Sequence, residues 1–292
     1  MRAFTMNLLS YSPNGQFPLF QAAPNPLATK HGLLRQELSI YNPMGAPVNV
    51  AGFTEVFVTD NALRVNVEGA LNDLGDQLQI PLMLGNRYIS VIRCGFSALQ
   101  PNGSEVVAIV LDGNATNVCY YVSWFVPGYG DFFTPLRPMA GNYYVAHLQR
   151  IAGWAADYRY IVGVMFRLNG RNYNVAFFHN RQPGAIENMV AMGRARLLLG
   201  RRGNETMLLG GDFNTAPDCL ILPACVAGHG RNRRAYYSIN ANTTTANNFD
   251  WWMSNTILRN QLVDAQCDAT PTVPPGRLVT GSDHRGVGIE IT

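Results

Sequence analysis

Short apolar segments bounded by Gly, Pro, Asn or Asp recur along the whole chain and read as strands. Ala3–Leu9 is the first, and the Pro/Gly/Asn-rich stretch Ser12–Pro26 after it reads as loop. Val48–Val58 is β-rich. A helix follows it: Asp60 can cap it, Leu63, Val67, Ala70, Leu71 and Leu74 share one face, and Gly75 is placed to close it. Val91-Ile92, Glu105–Leu111 and Asn117–Val126 read as consecutive strands, with turns at Pro101-Asn102-Gly103 and Asp112-Gly113. Tyr160–Leu168 and Asn172–Phe178 flank Asn169-Gly170, a strong hairpin signal because both turn residues tolerate positive φ. Ala185–Arg201 and Ser254–Val263 have helical spacing; Thr206–Leu209 reads as a buried strand and Val287–Ile291 as an alternating one. Strands with interspersed helices predict α/β layers, and the hairpins exclude a purely parallel sheet.

Composition narrows the class. The 292 residues fit one large domain or two ordinary ones, and no linker interrupts the strand-like segments, so residues 1–292 are expected to form a single domain. Charged residues are 14% of the chain, against about 25% in ordinary soluble domains, and 47% are apolar, which argues against charge-driven disorder. No apolar run approaches the roughly 18 residues of a transmembrane segment, and Met1-Arg2-Ala3-Phe4 opens no signal peptide. Five cysteines without a CxxC pair make a zinc framework a poor fit; up to two disulfides, or buried free thiols, remain open. The net charge of +3 marks no partner, but Lys30 is the only Lys among 22 basic residues. The 27 Asn, with AT-rich codons like those of Lys, speak against codon bias. Arg suits phosphate, and scarcity of Lys removes ubiquitin attachment sites, which favours survival in a eukaryotic cytosol; family drift is the alternative.

Polar residues at strand ends carry the chemistry. Asn7 interrupts an apolar strand, Glu55 lies between Phe53 and Phe57, and His179 ends Val175–Phe178. Asp212 and Asn214 follow Met-Leu-Leu-Gly-Gly, Asp250 precedes Trp251-Trp252, and Asp283-His284 leads into the last strand. Burying such groups costs several kcal/mol unless a charge, a metal or a hydrogen bond compensates. So many of them predict convergence on one rim.

Gly210-Gly211-Asp212-Phe213-Asn214 and Ser282-Asp283-His284, behind Asn7, Thr54-Glu55-Val56 and His179, resemble the motifs of the endonuclease/exonuclease/phosphatase superfamily, typified by deoxyribonuclease I. The resemblance spans nearly the whole chain. It implies a four-layer sandwich of two packed mixed β-sheets flanked by helices. It also implies Mg²⁺, with Mn²⁺ or Ca²⁺ as possible substitutes, on Glu55 assisted by Asn7, and Asp283 as a further metal residue. Asp212 and Asn214 would orient water and hold a phosphate oxygen, His284 would be oriented by Asp250, and His179 would serve the leaving-group side with Glu105 as partner. Arg159 resembles an Arg that grips the substrate phosphate. Two departures stand out: Arg285-Gly286 where Pro often follows Ser-Asp-His, and no Trp beside Asn7.

The superfamily leaves several phosphoesters open. Arg231, Arg233 and Arg234 beside Tyr236 and Tyr237, and Arg194, Arg196, Arg201 and Arg202, favour a DNA backbone. The segment from Arg159 through its Asn-Gly hairpin resembles the active subunit of cytolethal distending toxins, and scarce Lys suits that life. The expectation is a secreted or delivered toxin nuclease, with delivery subunits or an immunity protein as partners. Phosphodiesterase or phosphatase action on sphingomyelin or inositol phosphates is the alternative, because Phe125–Tyr129 and Phe132-Phe133 could form a membrane-docking hairpin. A catalytically inactive binding relative is the third reading.

Overall fold

The computed structural model describes residues 1–11, 27–40, 45–57, 61–83, 86–95, 105–126, 130–140, 143–147, 160–180, 206–214, 234–236, 249–254, 284 and 286–291. In chain order the elements are β1 (Arg2–Tyr11), α1 (Leu27–Ile40), β2 (Val50–Phe57), α2 (Asn61–Gln77), β3 (Tyr88–Gly95), β4 (Glu105–Leu111) and β5 (Thr116–Val126). Then come β6 (Gly130–Pro135), β7 (Pro138–Ala140), β8 (Tyr143–His147), β9 (Ile161–Leu168) and β10 (Arg171–His179). The last are β11 (Thr206–Asp212), β12 (Arg234–Tyr236), β13 (Asp250–Ser254) and β14 (Val287–Glu290). Two seven-stranded sheets result, in the orders β14-β1-β2-β4-β3-β8-β7 and β12-β13-β11-β10-β9-β5-β6. Both are mixed: β1–β2, β3–β8 and β10–β11 are parallel pairs among antiparallel ones.

The strand period of two sorts side chains between layers. Ala3, Val50, Ile109 and Leu111 of the first sheet meet Val122, Val164, Val175, Phe177 and Trp252 of the second in one buried core. The alternate residues Phe4, Met6, Ala51 and Phe53 pack outward against Leu34 and Leu38 of α1 and Val67, Leu71 and Leu74 of α2. On the outer face of the second sheet Tyr121, Ala176, Phe178, Phe213 and Trp251 are buried together. The expected packing of two mixed sheets is thus what the chain forms. Among the described residues no helix is long and apolar enough to cross a membrane.

Several sequence expectations need correction. Gly75 does not close α2: a Cβ there would lie 2.9 Å from Arg87 Nη1 and 3.1 Å from Val110 Cγ1, so the glycine serves close packing of helix on sheet. The helix ends later, where Ile80 N–H donates to Gly75 O and Gln79 N–H to Asp76 O, with Gln79 at φ 55°. That is a Schellman end with Gln in the left-handed position usually held by Gly. Ser254 is the last residue of β13, opposite Leu208 and Arg234, and the rest of the helix expected over 254–263 lies outside the described residues. Periodicity does not signal helix α1: among its described side chains the buried apolar positions are Leu34 and Leu38, and Gly32 interrupts it. The hairpin turn holds, with Asn169 at φ 49° and Gly170 at φ 80°. The helix expected at 185–201 and the turn at 101–103 lie outside the described residues. Cys119 is a half-buried free thiol.

Candidate active site

Topology gathers the polar strand ends. Asn7 lies on β1 opposite Thr54 of the neighbouring parallel β2. His179 ends β10 opposite Asp212, which ends β11, and Asp212 in turn stands opposite Asp250, the first residue of β13. His284 precedes β14, which pairs with β1. Packing the two sheets face to face therefore brings residues from positions 7 to 284 to one rim.

Local backbone devices aim them. The register of β2 against β4 shifts between Phe53 and Val56, and within that bulge Glu55 has φ 53°. Such a conformation is rare for a non-glycine residue and re-aims its carboxylate out of the strand. Gly211 has φ 142°, and a Cβ there would stand 2.0 Å from Phe178 O, so only glycine lets β11 close on β10 one residue before Asp212.

The side chains form two linked groups around Asp212. In the first, Asn7 Nδ2 donates to Glu55 Oε1 at 3.1 Å and to Asp212 Oδ2 at 3.0 Å. His179 Nε2 lies 3.4 Å from Glu55 Oε1 and 3.6 Å from Asp212 Oδ2. In the second, His284 Nδ1 is 2.7 Å from Asp250 Oδ2, and its Nε2 is 3.6 Å from Asp212 Oδ2. An ionised carboxylate only accepts, so Nδ1 carries the hydrogen and Nε2 is turned to the reacting side. Asn214, at φ 49°, donates its backbone N–H to Asp212 Oδ1 at 2.8 Å. Its Nδ2 donates to Asn180 O at 2.5 Å and, more weakly, to Asp212 Oδ2 at 3.3 Å.

Electrostatics follow from this crowding. Burial pushes the Asp212 carboxyl up to about 6, and the nearby Asp250 charge pushes the same way. His284, His179 and the Asn214 N–H oppose the rise. An acid balanced near neutrality suits proton transfer to and from water.

The rim also fits a divalent cation. Two carboxylates, Glu55 and Asp212, converge on a single nitrogen, Asn7 Nδ2, and rotation of that amide would present Oδ1 to the same point. A hard cation takes such an oxygen set and keeps several waters. Asp212, Asp250 and His284 also place ligand-type atoms within 4.8 Å of one another. The 2.7 Å Asp250–His284 contact already uses two of those groups in a hydrogen bond, so the corner at Glu55, which opens to solvent, is the better cation seat.

Of the residues named from sequence, the structure brings together Asn7, Glu55, His179, Asp212, Asn214, Asp250 and His284. Glu105 opens β4 opposite Phe57, and its side chain lies outside the description. Among the described residues, the carboxylates facing His179 are Glu55 and Asp212. Arg159 and Asp283 lie outside the described residues. Sequence reasoning missed Asn180, buried just after His179, and Trp252, whose Nε1 donates to Val287 O at 3.1 Å and ties the second sheet to the first. A polar residue directly after a strand-terminal His was the visible signal for Asn180; nothing in the sequence marked Trp252 as more than core.

No family model and no curated protein matches the sequence. Solved structures do resemble it. An endonuclease/exonuclease/phosphatase family protein from Leptotrichia buccalis is 12% identical, with TM-score 0.55 over 100% of this chain and 99% of that one. A mannosyl-6-phosphatase from Bacteroides thetaiotaomicron is 14% identical, with TM-score 0.59 over 99% and 98%. A beta toxin variant from Staphylococcus aureus with bound magnesium ions is 12% identical, with TM-score 0.54 over 100% and 99%. The chain has the endonuclease/exonuclease/phosphatase fold. At these identities the likeness is one of architecture.

Proposed function

We propose that this chain is a divalent-metal-dependent hydrolase of phosphodiesters, with DNA as its substrate. The observation that carries the reading is the junction at Asp212, where the Asn7–Glu55–His179 group meets the Asp250–His284 pair. A metal, Mg²⁺ by the chemistry of the donors, would be held by Glu55 and the Asn7 carbonyl with Asp283 as a further candidate, and would neutralise charge on the phosphoryl oxygens when bound. Asp212, poised near neutrality, orients and deprotonates the attacking water. His284, held by Asp250, offers Nε2 to the phosphoryl group, where a positively charged ring stabilises developing charge. Asn214 can exchange its 3.3 Å contact with Asp212 for a phosphate oxygen. His179 stands across Asp212 and Glu55 to protonate the leaving oxygen, and Arg159 is the proposed grip on the substrate phosphate.

The choice of DNA rests on the basic and aromatic residues. Arg234–Tyr236 forms an edge strand beside β13, with Tyr236 opposite Trp252, two positions from Asp250. Arginines next to aromatics in the sequence suit a phosphate backbone held without base readout. The membrane-docking alternative is weakened because Phe133 packs on Tyr121, centroids 4.8 Å apart, instead of facing outward. The toxin reading, with its delivery or immunity partners and passage into a target cell, follows from scarce Lys and the Arg159 segment.

The test is nicking of supercoiled plasmid by the purified chain. Nicking should need Mg²⁺, vanish in chelator and vanish in His284→Ala. Hydrolysis of sphingomyelin, inositol phosphates or a sugar monophosphate with plasmid left intact would replace the substrate; no hydrolysis of any of them would leave a binding protein.

A further inference from the structure

We propose that Asn180 is a positioning residue whose amide latches the Phe213–Asn214 peptide in the orientation that Asp212 and Asn214 need. The inference rests on the proposed hydrolytic reading only for its activity readout.

The peptide between Phe213 and Asn214 is held at both of its polar atoms. Its N–H donates to Asp212 Oδ1 at 2.8 Å, and its carbonyl accepts from Asn180 Nδ2 at 2.9 Å. This orientation places Asn214 at φ 49°, in the left-handed region. Asn tolerates that region better than most residues, yet it remains a costly conformation that surrounding contacts must impose. Rotating the peptide would relieve Asn214, withdraw the N–H from Asp212 and swing the Asn214 side chain off the rim. The carbonyl bond from Asn180 opposes that rotation from outside the turn.

Asn180 is built for this task. It is 2% exposed and lies directly after His179. Its own N–H donates to Asp212 O at 2.8 Å, and its carbonyl accepts from Asn214 Nδ2 at 2.5 Å. One residue thus bonds to the backbone of Asp212, the backbone of Phe213 and the side chain of Asn214. Of these three bonds, the one to Phe213 is the one that uses the Asn180 side chain, so a substitution there removes the latch and leaves the other two available. A buried carbonyl that loses its donor is also a driving force for the peptide to turn.

The experiment compares Asn180→Leu, similar in size and uncharged, with wild type. Amide exchange at Asn214 should rise roughly 10-fold or more. The kcat on plasmid should fall about 10- to 100-fold with KM within about two-fold, as expected for misplacement of reacting groups. In an Asn214→Ala background the same substitution should lower kcat by a smaller factor than in wild type, because the part of its effect that runs through the Asn214 side chain is already lost while the N–H to Asp212 remains. Asn180→Ser, which keeps a donor on a shorter arm, should fall between wild type and Leu, and it stands in if the Leu variant does not fold. An equal loss of kcat in both backgrounds, or unchanged Asn214 exchange, overturns the proposal. If wild type hydrolyses nothing, the functional reading fails and Asn214 exchange alone decides whether the latch exists.

Discussion

Asp112 and Asp212 are buried carboxylates at opposite ends of the sandwich, 3% and 1% exposed, and their surroundings differ. Asp112 follows β4, whose last residue pairs with Val50 at the start of β2, so it lies away from the end that carries Glu55. It accepts from Asn49 Nδ2 at 2.8 Å, Asn114 N–H at 2.9 Å and Asn114 Nδ2 at 3.0 Å. Asn49 in turn accepts from the Arg2 N–H, so the network also pins the start of β1. Asp212 receives amide donors too, but it shares Asn7 with Glu55, has the Asp250 charge close by, and follows a glycine at φ 142°. One end satisfies its buried acid for stability. The other keeps acids crowded, which costs stability and leaves groups able to exchange protons and hold a cation.

The comparison can be broken most sharply at the chemical end. His284→Ala or His179→Ala should lower plasmid nicking by about 10² to 10⁴-fold while thermal unfolding still shows a cooperative fold; retained activity would deny the rim its role. The reverse pattern is expected for Asp112→Ala. Three donors, one on the half-buried Asn49 and two on the exposed Asn114, lose their acceptor, which should cost about 1–3 kcal/mol in denaturant unfolding with kcat of the folded protein unchanged.

The pH dependence sharpens the contrast. The Asp212 carboxyl is raised from 3.8 to about 6 on folding, so the folded state binds the proton more tightly. Its contribution to stability is fully present below pH 3.8 and is lost as pH rises through about 6. In chelator, wild type should therefore lose stability relative to Asp212→Asn between pH 4 and pH 7, by roughly 2–3 kcal/mol; a flat difference would refute the crowding. The smallest effect is expected at the half-exposed Arg2–Glu290 pair, 3.1 Å apart. Glu290→Ala should cost less than about 1 kcal/mol and leave nicking unchanged.

The legible parts of the molecule were those set by period and turn chemistry. Apolar segments bounded by turn residues located β4, β5, β9 and β10 within a residue or two, and Asn169-Gly170 fixed the hairpin between β9 and β10. The site residues were legible because polar groups at the ends of apolar strands are costly wherever they fall. What escaped was set by tertiary packing. Gly75 looks like a helix stop until Arg87 and Val110 are seen against it. Glu55 shows no sequence sign of its bulge, and Asn180 reads as an ordinary polar residue until the Phe213 carbonyl is placed beside it.

Trp252 carries a consequence for assembly. Its indole reaches from β13 to the Val287 carbonyl of β14, a short distance from where Asp250 meets His284. The dyad therefore exists only once the two sheets have docked, and a refolding protein with either sheet formed alone would be inert. Recovery of activity during refolding would time the closing of the sandwich, and its lag behind recovery of strand content would measure how long the halves stay apart.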